Sequence, residues 1–301
     1  MKIVRKNKPM TMAEFEAKFP NEKACKSYLQ ARRWPQGVRC PRCDNDKVYE
    51  LKREFHWQCE KCSKDGYRFS VLVGTIFENT NINLVLWFKL MYYMMVSKKG
   101  VSALQLQRML GVGSYRTAWS MAHRVRVALG NEEFRQLVGF VEVDETFVGG
   151  KAKNKHKGPG GRGDMGGTGR YGKFIIAGAV ERKGKVVARV VENTQTETLQ
   201  KFVREVVSKK VSLLSADEWH AYKKLRGEYP VGIVRHGAGE YVVGAIHTNT
   251  IEGFWSIIKR GIMGTFHKVS KKYLHLYVNE FQFRYNNRDN PGIFGTAVAR
   301  C

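Results

Sequence analysis

Residues 140–148 read FVEVDETFV, a run of β-branched and aromatic residues that contains acidic side chains. This short-period apolar pattern predicts a β-strand. Asp144 falls in the middle of the strand, and a buried apolar strand rarely carries an acid that has no partner. We therefore interpret Asp144 as a candidate for chemistry.

The segments that follow extend this strand into a sheet. KFIIAGAVE at residues 173–181 and KVVARVVE at residues 185–192 predict two further strands, so three consecutive strands form an antiparallel meander. A helix is predicted at residues 196–210, before the apolar strand VSLLSAD. Its apolar positions have helical spacing: Leu199, Phe202, Val203, Val206 and Val207. A helix between two strands implies a crossover to a parallel neighbour.

One more strand, VGIVRH, and two helices, IEGFWSIIKRGI and YLHLYVNEFQFRYNN, complete a mixed sheet flanked by helices. We therefore predict an α/β domain at residues 137–295, and its order of elements resembles the ribonuclease-H-like fold. Residues 151–173 contain seven Lys or Arg, one Asp and eight Gly. This composition predicts a mobile basic loop between the first two strands.

Two further acids and a lysine share this domain. Asp217 ends the strand VSLLSAD, and Glu252 follows after 34 intervening residues, at the start of a helix. Lys259 lies seven residues after Glu252, and seven steps of 100° return to nearly the same helix face. The apolar stripe of this helix is a different set: Ile251, Phe254, Trp255, Ile258 and Ile262. The acid and the lysine are therefore predicted to point together.

Each acid also has a structural alternative. Glu252 fits a capping box that begins at Asn249. For Asp144 and Asp217, the alternative to a functional role is an ordinary ion pair with one of the many Lys or Arg residues. The neighbouring acids that compete for the same role are Glu142, Glu145 and Glu218.

The cysteines indicate a metal site before this domain. Cys40-Pro-Arg-Cys43 and Cys59-Glu-Lys-Cys62 are two C-x₂-C pairs with fifteen residues between them. This spacing is typical of a structural zinc ion held by four thiolates. A redox centre would instead place one pair at a helix start beside a strand. We predict a zinc ribbon at residues 36–78, with Zn²⁺ as its cofactor, after a helical lead-in at residues 1–35.

Residues 79–135 are predicted to be helical and to bind DNA. After an apolar core helix at 83–97, one helix starts at Ser102, a glycine-rich turn lies at 111–113, and a second helix starts at Ser114. This is helix-turn-helix spacing, although helical hairpins are also common in proteins that do not bind DNA. The second helix offers donors and cations for base edges and phosphates: Ser114, Tyr115, Arg116, Thr117, Ser120, His123 and Arg124.

Charge supports a nucleic-acid partner. The chain of 301 residues has 52 Lys and Arg against 27 Asp and Glu, a formal net charge of +25. A membrane surface is the second candidate for a basic protein. The sequence shows neither an apolar run that would span a membrane nor a signal peptide, so we expect a cytoplasmic protein with no membrane partner.

Three motifs together carry a family resemblance. VDETFVGG (143–150), SADEWHAY (215–222) and HTNTIEGFWSIIKRG (247–261) are similar to motifs of the DDE insertion-sequence transposases that bear an N-terminal zinc ribbon, the ISXO-like group. The resemblance covers nearly the whole chain. It implies that Asp144, Asp217 and Glu252 bind two Mg²⁺ or Mn²⁺ ions, and that Lys259 is a further catalytic residue. Some members carry Asn at the Glu position, whereas this sequence has Glu252.

The resemblance also implies the activity and the partners. We expect a bacterial, nucleoid-associated enzyme that binds double-stranded DNA at the terminal repeats of its element and at a target. It would cleave and transfer strands as a homo-oligomer, a dimer or larger, with Lys259 and Arg260 contacting DNA near the scissile phosphate. The alternatives are a DNA-binding regulator with an inactive sheet domain, and a plain nuclease or junction resolvase on the same fold.

Overall fold

The computed structural model describes residues 10–62, 65–130, 135–149, 173–217, 220–234 and 244–301. The chain forms two compact units, Met1–Asn131 with Asn287–Cys301, and Glu132–Asn286. The predicted loop at residues 151–173 lies outside the described residues except for Lys173.

The first unit contains six helices among its described residues. They are α1 (Met12–Lys18), α2 (Glu22–Arg33), α3 (Leu84–Val96), α4 (Ala103–Leu110), α5 (Tyr115–Leu129) and α10 (Ile293–Val298). Phe294 of α10 lies among aromatic rings of α1 and α3, with ring centroids 5.6 Å from Phe15 and 5.6 Å from Phe88. Because this contact buries Phe294, α10 belongs to the first unit, whereas the predicted sheet domain extends to residue 295.

A small ribbon follows α2. Strands β1 (Tyr49–Glu50), β2 (His56–Cys59) and β3 (Tyr67–Ser70) form an antiparallel sheet in the order β1-β2-β3. Strand β3 ends at Ser70, and the chain continues in turns. Both β2 and the turn before β1 carry cysteines, so the sheet brings the two C-x₂-C pairs together.

The helix-turn-helix has the predicted boundaries. Ser102 caps α4, and Ser114 caps α5 by accepting a hydrogen bond from the Thr117 amide at 3.0 Å. Gly111 ends α4 with φ +65°, a left-handed conformation that glycine adopts without steric cost. The short connection holds α4 and α5 as neighbouring helices.

The second unit is built on a five-stranded sheet. Its strands are β4 (Phe140–Val148), β5 (Phe174–Glu181), β6 (Val186–Val191), β7 (Leu213–Asp217) and β8 (Val231–Val234), in the order β6-β5-β4-β7-β8. Antiparallel pairs join β4 to β5 and β5 to β6, while β7 is parallel to β4 and to β8. The predicted meander and crossover are confirmed, and the arrangement is consistent with the ribonuclease-H-like fold.

Helices cover both faces of this sheet. Helices α6 (Thr196–Val206) and α7 (His220–Lys223) pack on one face, against Val141 and Val143 of β4. Helices α8 (Asn249–Gly261) and α9 (Lys271–Asn286) pack on the other face, against Val148. Side chains alternate between faces along a strand, so the even-numbered residues of β4 point toward α8. Both predicted apolar stripes, on α6 and α8, are buried.

The most apolar helix, α3, has 13 residues and is largely buried inside the first unit. Across the described residues, no helix is both long enough and apolar enough to cross a membrane.

Candidate active site

Two of the predicted acids lie side by side on neighbouring strands. The parallel register of β4 and β7 pairs Val143 with Ala216, so Asp144 and Asp217 occupy the next position on each strand. Both side chains are half-buried. Asp144 and Asp217 therefore form a pair of carboxylates at the end of β7.

Trp255 holds one of these carboxylates. Its indole Nε1 donates a hydrogen bond of 2.9 Å to Oδ2 of Asp144. The indole reaches the strand because Gly178, the β5 partner of Asp144, has no side chain. A Cβ at Gly178 would lie 2.4 Å from Cη2 of Trp255, which no packed structure tolerates. Gly178 therefore provides the space through which α8 contacts Asp144.

The surroundings of Asp144 are negative. Burial and the nearby carboxylate of Glu145 raise the pKa of Asp144 to about 7, and Asp217 adds to the increase, against the opposing hydrogen bond from Trp255. Among the described residues, no Lys or Arg contributes to this shift. Carboxylates gathered in this way favour a bound cation.

The third acid, Glu252, lies in the first turn of α8. Its side chain is exposed, and its Oε1 accepts a hydrogen bond of 2.9 Å from the Thr248 hydroxyl. The capping-box alternative is wrong, because Thr248 and not Asn249 is the N-cap, and its side chain accepts no capping hydrogen bond from a backbone amide of the first turn. Lys259 and Arg260 are exposed in the last turn of the same helix.

The cap of α8 comes instead from Glu142 in the sheet. One oxygen of its fully buried carboxylate accepts hydrogen bonds from the amides of Thr250, at 2.7 Å, and Ile251, at 3.0 Å. The other accepts from the Thr250 hydroxyl at 2.8 Å. A carboxylate at a helix N-terminus also interacts favourably with the helix dipole. Glu142 thus fixes the start of α8 on β4.

Arg182 balances the charge of Glu142. Its Nε donates to Oε1 of Glu142 at 2.7 Å, and its other nitrogens donate to the carbonyls of Ala245, at 2.7 Å, and His247, at 3.1 Å. One guanidinium therefore ties the loop before α8 to the carboxylate that caps α8. Sequence reasoning treated Glu142 only as a competitor of Asp144 and did not find Arg182.

Glu145 points toward the other face of the sheet. The hydroxyl of buried Tyr222 donates to its Oε2 at 2.9 Å. Of the acids on β4, Glu142 and Glu145 thus have assigned structural contacts, which leaves Asp144 beside Asp217.

The donor chemistry of these residues fits a hard divalent cation, since carboxylate oxygens are the ligands that Mg²⁺ prefers. Among the described residues, only four cysteines bring three or more potential ligand atoms within 4.8 Å of one another. The carboxylates of Asp144, Asp217 and Glu252 are therefore spaced more widely than that. A pair of ions about 4 Å apart requires ligands distributed over more than one coordination sphere.

Those four cysteines form a compact cluster in the ribbon. The Sγ atoms of Cys40 and Cys62 are 3.4 Å apart, and those of Cys43 and Cys59 are 3.7 Å apart. Sulfurs around tetrahedral zinc, with bonds of about 2.3 Å, lie about 3.8 Å from each other. The geometry of the cluster supports a bound Zn²⁺, as predicted from the spacing of the cysteines in the sequence.

The structure sorts the predicted DNA contacts on α5 by exposure. Ser114, Tyr115, Arg116 and Ser120 are exposed, while Thr117 and Arg124 are half-buried. His123 is buried and stacks on Trp119 with ring centroids 3.9 Å apart, so its proposed role as a DNA-facing donor is wrong. The pattern of polar residues along α5 does not predict that Trp119 covers this imidazole.

Comparisons with known proteins agree with this architecture. A family model described as the ISXO2-like transposase domain matches residues 136–286, and one described as a transposase zinc-ribbon domain matches residues 20–65. An uncharacterized protein in transposable element ISH50 of Halobacterium salinarum is 29% identical over 287 residues. That similarity covers 91% of this chain and 94% of the relative.

The first prediction concerns the buried cap of α8. Glu142→Gln should lower the free energy of unfolding by about 3–5 kcal/mol, because it leaves the Arg182 charge without its buried counter-charge. Glu205→Gln removes a surface partner of Arg189 and should cost less than about 1 kcal/mol. Urea unfolding of both variants measures the difference. Equal losses would show that Glu142 does not anchor the helix.

A second prediction concerns the cysteine cluster. The purified chain should contain a single zinc ion, and Cys43→Ser should lose it because three thiolates remain. Cys301→Ser, which changes a thiol outside the cluster, should keep the metal. Metal analysis by mass spectrometry reads out both variants. Retention of zinc by Cys43→Ser would contradict a four-thiolate site.

Proposed function

The chain belongs to the family of ISXO2-like transposases of insertion sequences, and from this premise we propose that it cleaves and joins DNA strands. The reaction centre would be Asp144, Asp217 and Glu252. The observation that carries the proposal is the adjacent pair Asp144 and Asp217, beneath a helix that presents Glu252.

Divalent metal ions, Mg²⁺ or Mn²⁺, would complete this centre. When bound, such ions activate a water or 3′-hydroxyl for attack and stabilise the leaving oxygen. Asp144 and Asp217 would hold them from the sheet, and Glu252 from α8. Trp255 would keep the Asp144 carboxylate oriented, since a hydrogen-bonded ligand has one preferred position.

Lys259 and Arg260 would bind the phosphate next to the scissile bond. Both are exposed in the last turn of α8, and Lys259 shares a face with Glu252. Cations placed on the helix that carries an active-site acid would keep the DNA backbone beside the carboxylates.

The DNA partner would be recognised by the first unit. We propose that α5 enters the major groove at the terminal repeats of the element, with these contacts: Tyr115, Arg116, Thr117, Ser120 and Arg124. The net charge of +25 would attract both the element ends and the target DNA. Two ends must be joined in one event, so a homodimer or larger assembly would act on DNA, at the nucleoid in the cytoplasm.

The third prediction tests the reaction. Wild-type protein with Mg²⁺ and a labelled duplex bearing an element end should give nicked and joined products. Asp217→Ala should bind the duplex with unchanged affinity and form neither product, because a metal ligand is lost. Glu205→Ala, a surface acid, should remain active.

The products decide among the alternatives. Binding without cleavage by the wild type would favour a DNA-binding regulator. Cleavage without joining would favour a plain nuclease or resolvase.

The fourth prediction isolates the contact between Trp255 and Asp144. Trp255→Phe keeps an aromatic ring but removes the donor, so cleavage should slow by about 10–100-fold and require more Mg²⁺. Tyr222→Phe removes a comparable hydrogen bond, to Glu145 on the opposite face, and should leave the Mg²⁺ requirement unchanged. Rates measured across a Mg²⁺ titration separate the two. Identical Mg²⁺ requirements in both variants would contradict an orienting role for Trp255.

A further inference from the structure

A groove runs beside the second helix of the helix-turn-helix. Its volume is about 380 Å³, and it lies between the first half of α5 and the loop that precedes α3. The helix contributes Arg116, Ser120 and Arg124, and the loop contributes Asn79 and Asn81. The loop therefore forms a second wall opposite residues proposed above to contact DNA.

The chemistry of the groove suits an anion with several acceptor oxygens. Its polar lining consists of amides, hydroxyls and two guanidinium groups, and none of the described residues that line it is acidic. The nearest acid along the chain, Glu78, bonds through Oε2 to the Gly74 amide. Donors and cations of this kind predominate where proteins contact DNA phosphates and sugars.

The loop is fixed in place by bonds to the helices. The Trp87 indole on α3 donates to the Thr80 hydroxyl at 3.0 Å, and Arg124 on α5 donates to the Glu78 carbonyl at 3.2 Å. The Arg124 guanidinium also lies 5.4 Å from the centre of the Trp87 ring. A wall held at both ends loses little conformational entropy on binding.

Asn79 and Asn81 are exposed at the tip of this wall. Asn79 has φ +55°, a left-handed conformation that Asn and Asp tolerate better than other residues with side chains. The side-chain amide of Asn79 is thus held by a backbone conformation that few types of residue adopt.

We propose that the groove binds the sugar-phosphate backbone of the duplex whose major groove α5 enters, with Asn79 and Asn81 as backbone contacts. The inference rests on the proposed DNA-binding role of α5 and adds a second wall, with Asn79 and Asn81, that carries no base recognition. Because phosphates are the same at every base pair, these contacts fix the position of the helix on DNA without reading sequence.

The test compares two duplexes, one with the element end and one with its scrambled sequence, by fluorescence anisotropy at fixed salt. The double variant Asn79→Asp with Asn81→Asp adds two negative charges with almost no change in shape. Gln30→Glu with Gln36→Glu is the matched control, with equal added charge in the same unit but outside the groove. Arg116→Ala reports on α5 itself, and circular dichroism verifies that each variant is folded.

We expect the groove variant to weaken binding to both duplexes equally, by about 10-fold or more, and the control to change both by less than about 3-fold. Arg116→Ala should weaken binding to the element end more than to the scrambled duplex. If Arg116→Ala weakens binding but the groove variant matches its control, the groove inference fails alone. A groove variant that loses only the element end would show base recognition and overturn the backbone assignment. If neither the groove variant nor Arg116→Ala weakens binding, the proposed role of α5 fails.

Discussion

The interactions of the Glu142 carboxylate are those on which the second unit depends. This carboxylate is completely buried, and a buried charge is tolerated only when it is paired and hydrogen-bonded. Arg182 supplies the opposite charge, while the first amides of α8 supply the donors that a helix start leaves unsatisfied. Two costs, an isolated charge and an uncapped helix, are therefore removed by one arrangement. The position of α8 on the sheet follows from it.

The placement of α8 then determines the surroundings of the proposed reaction centre. Once the helix starts above β4, Trp255 lies one turn further on, over Gly178, and reaches Asp144. Glu252 precedes Trp255 by three residues, so the same anchor sets both. The sheet independently aligns Asp144 with Asp217 through the register of two parallel strands. Helix and sheet thus contribute separate carboxylates, and the ion pair of Glu142 and Arg182 links the helix to the sheet.

Much of this could be predicted from local patterns. Apolar periodicity predicted the strands, the crossover and the buried stripe of α8, and cysteine spacing predicted the cluster of four cysteines. Each of these patterns is confined to a short stretch of chain. The bonds of Glu142 to α8 span 108 and 109 residues, and no local pattern encodes such a pairing. The same limit applies to Phe294, whose partners lie near the other end of the chain. His123 was misjudged because its imidazole stacks on Trp119 of the same helix, a contact that the pattern of polar residues does not specify.

The first unit is assembled from two stretches that the second unit separates along the sequence, with α10 packed among the rings of α1 and α3. During synthesis on the ribosome, the amino-terminal helices emerge long before Phe294 is translated. The whole five-stranded sheet must leave the exit tunnel first. A nascent chain can therefore form its five-stranded sheet while the aromatic core of its other unit is still incomplete, and that core closes only after Phe294 has emerged.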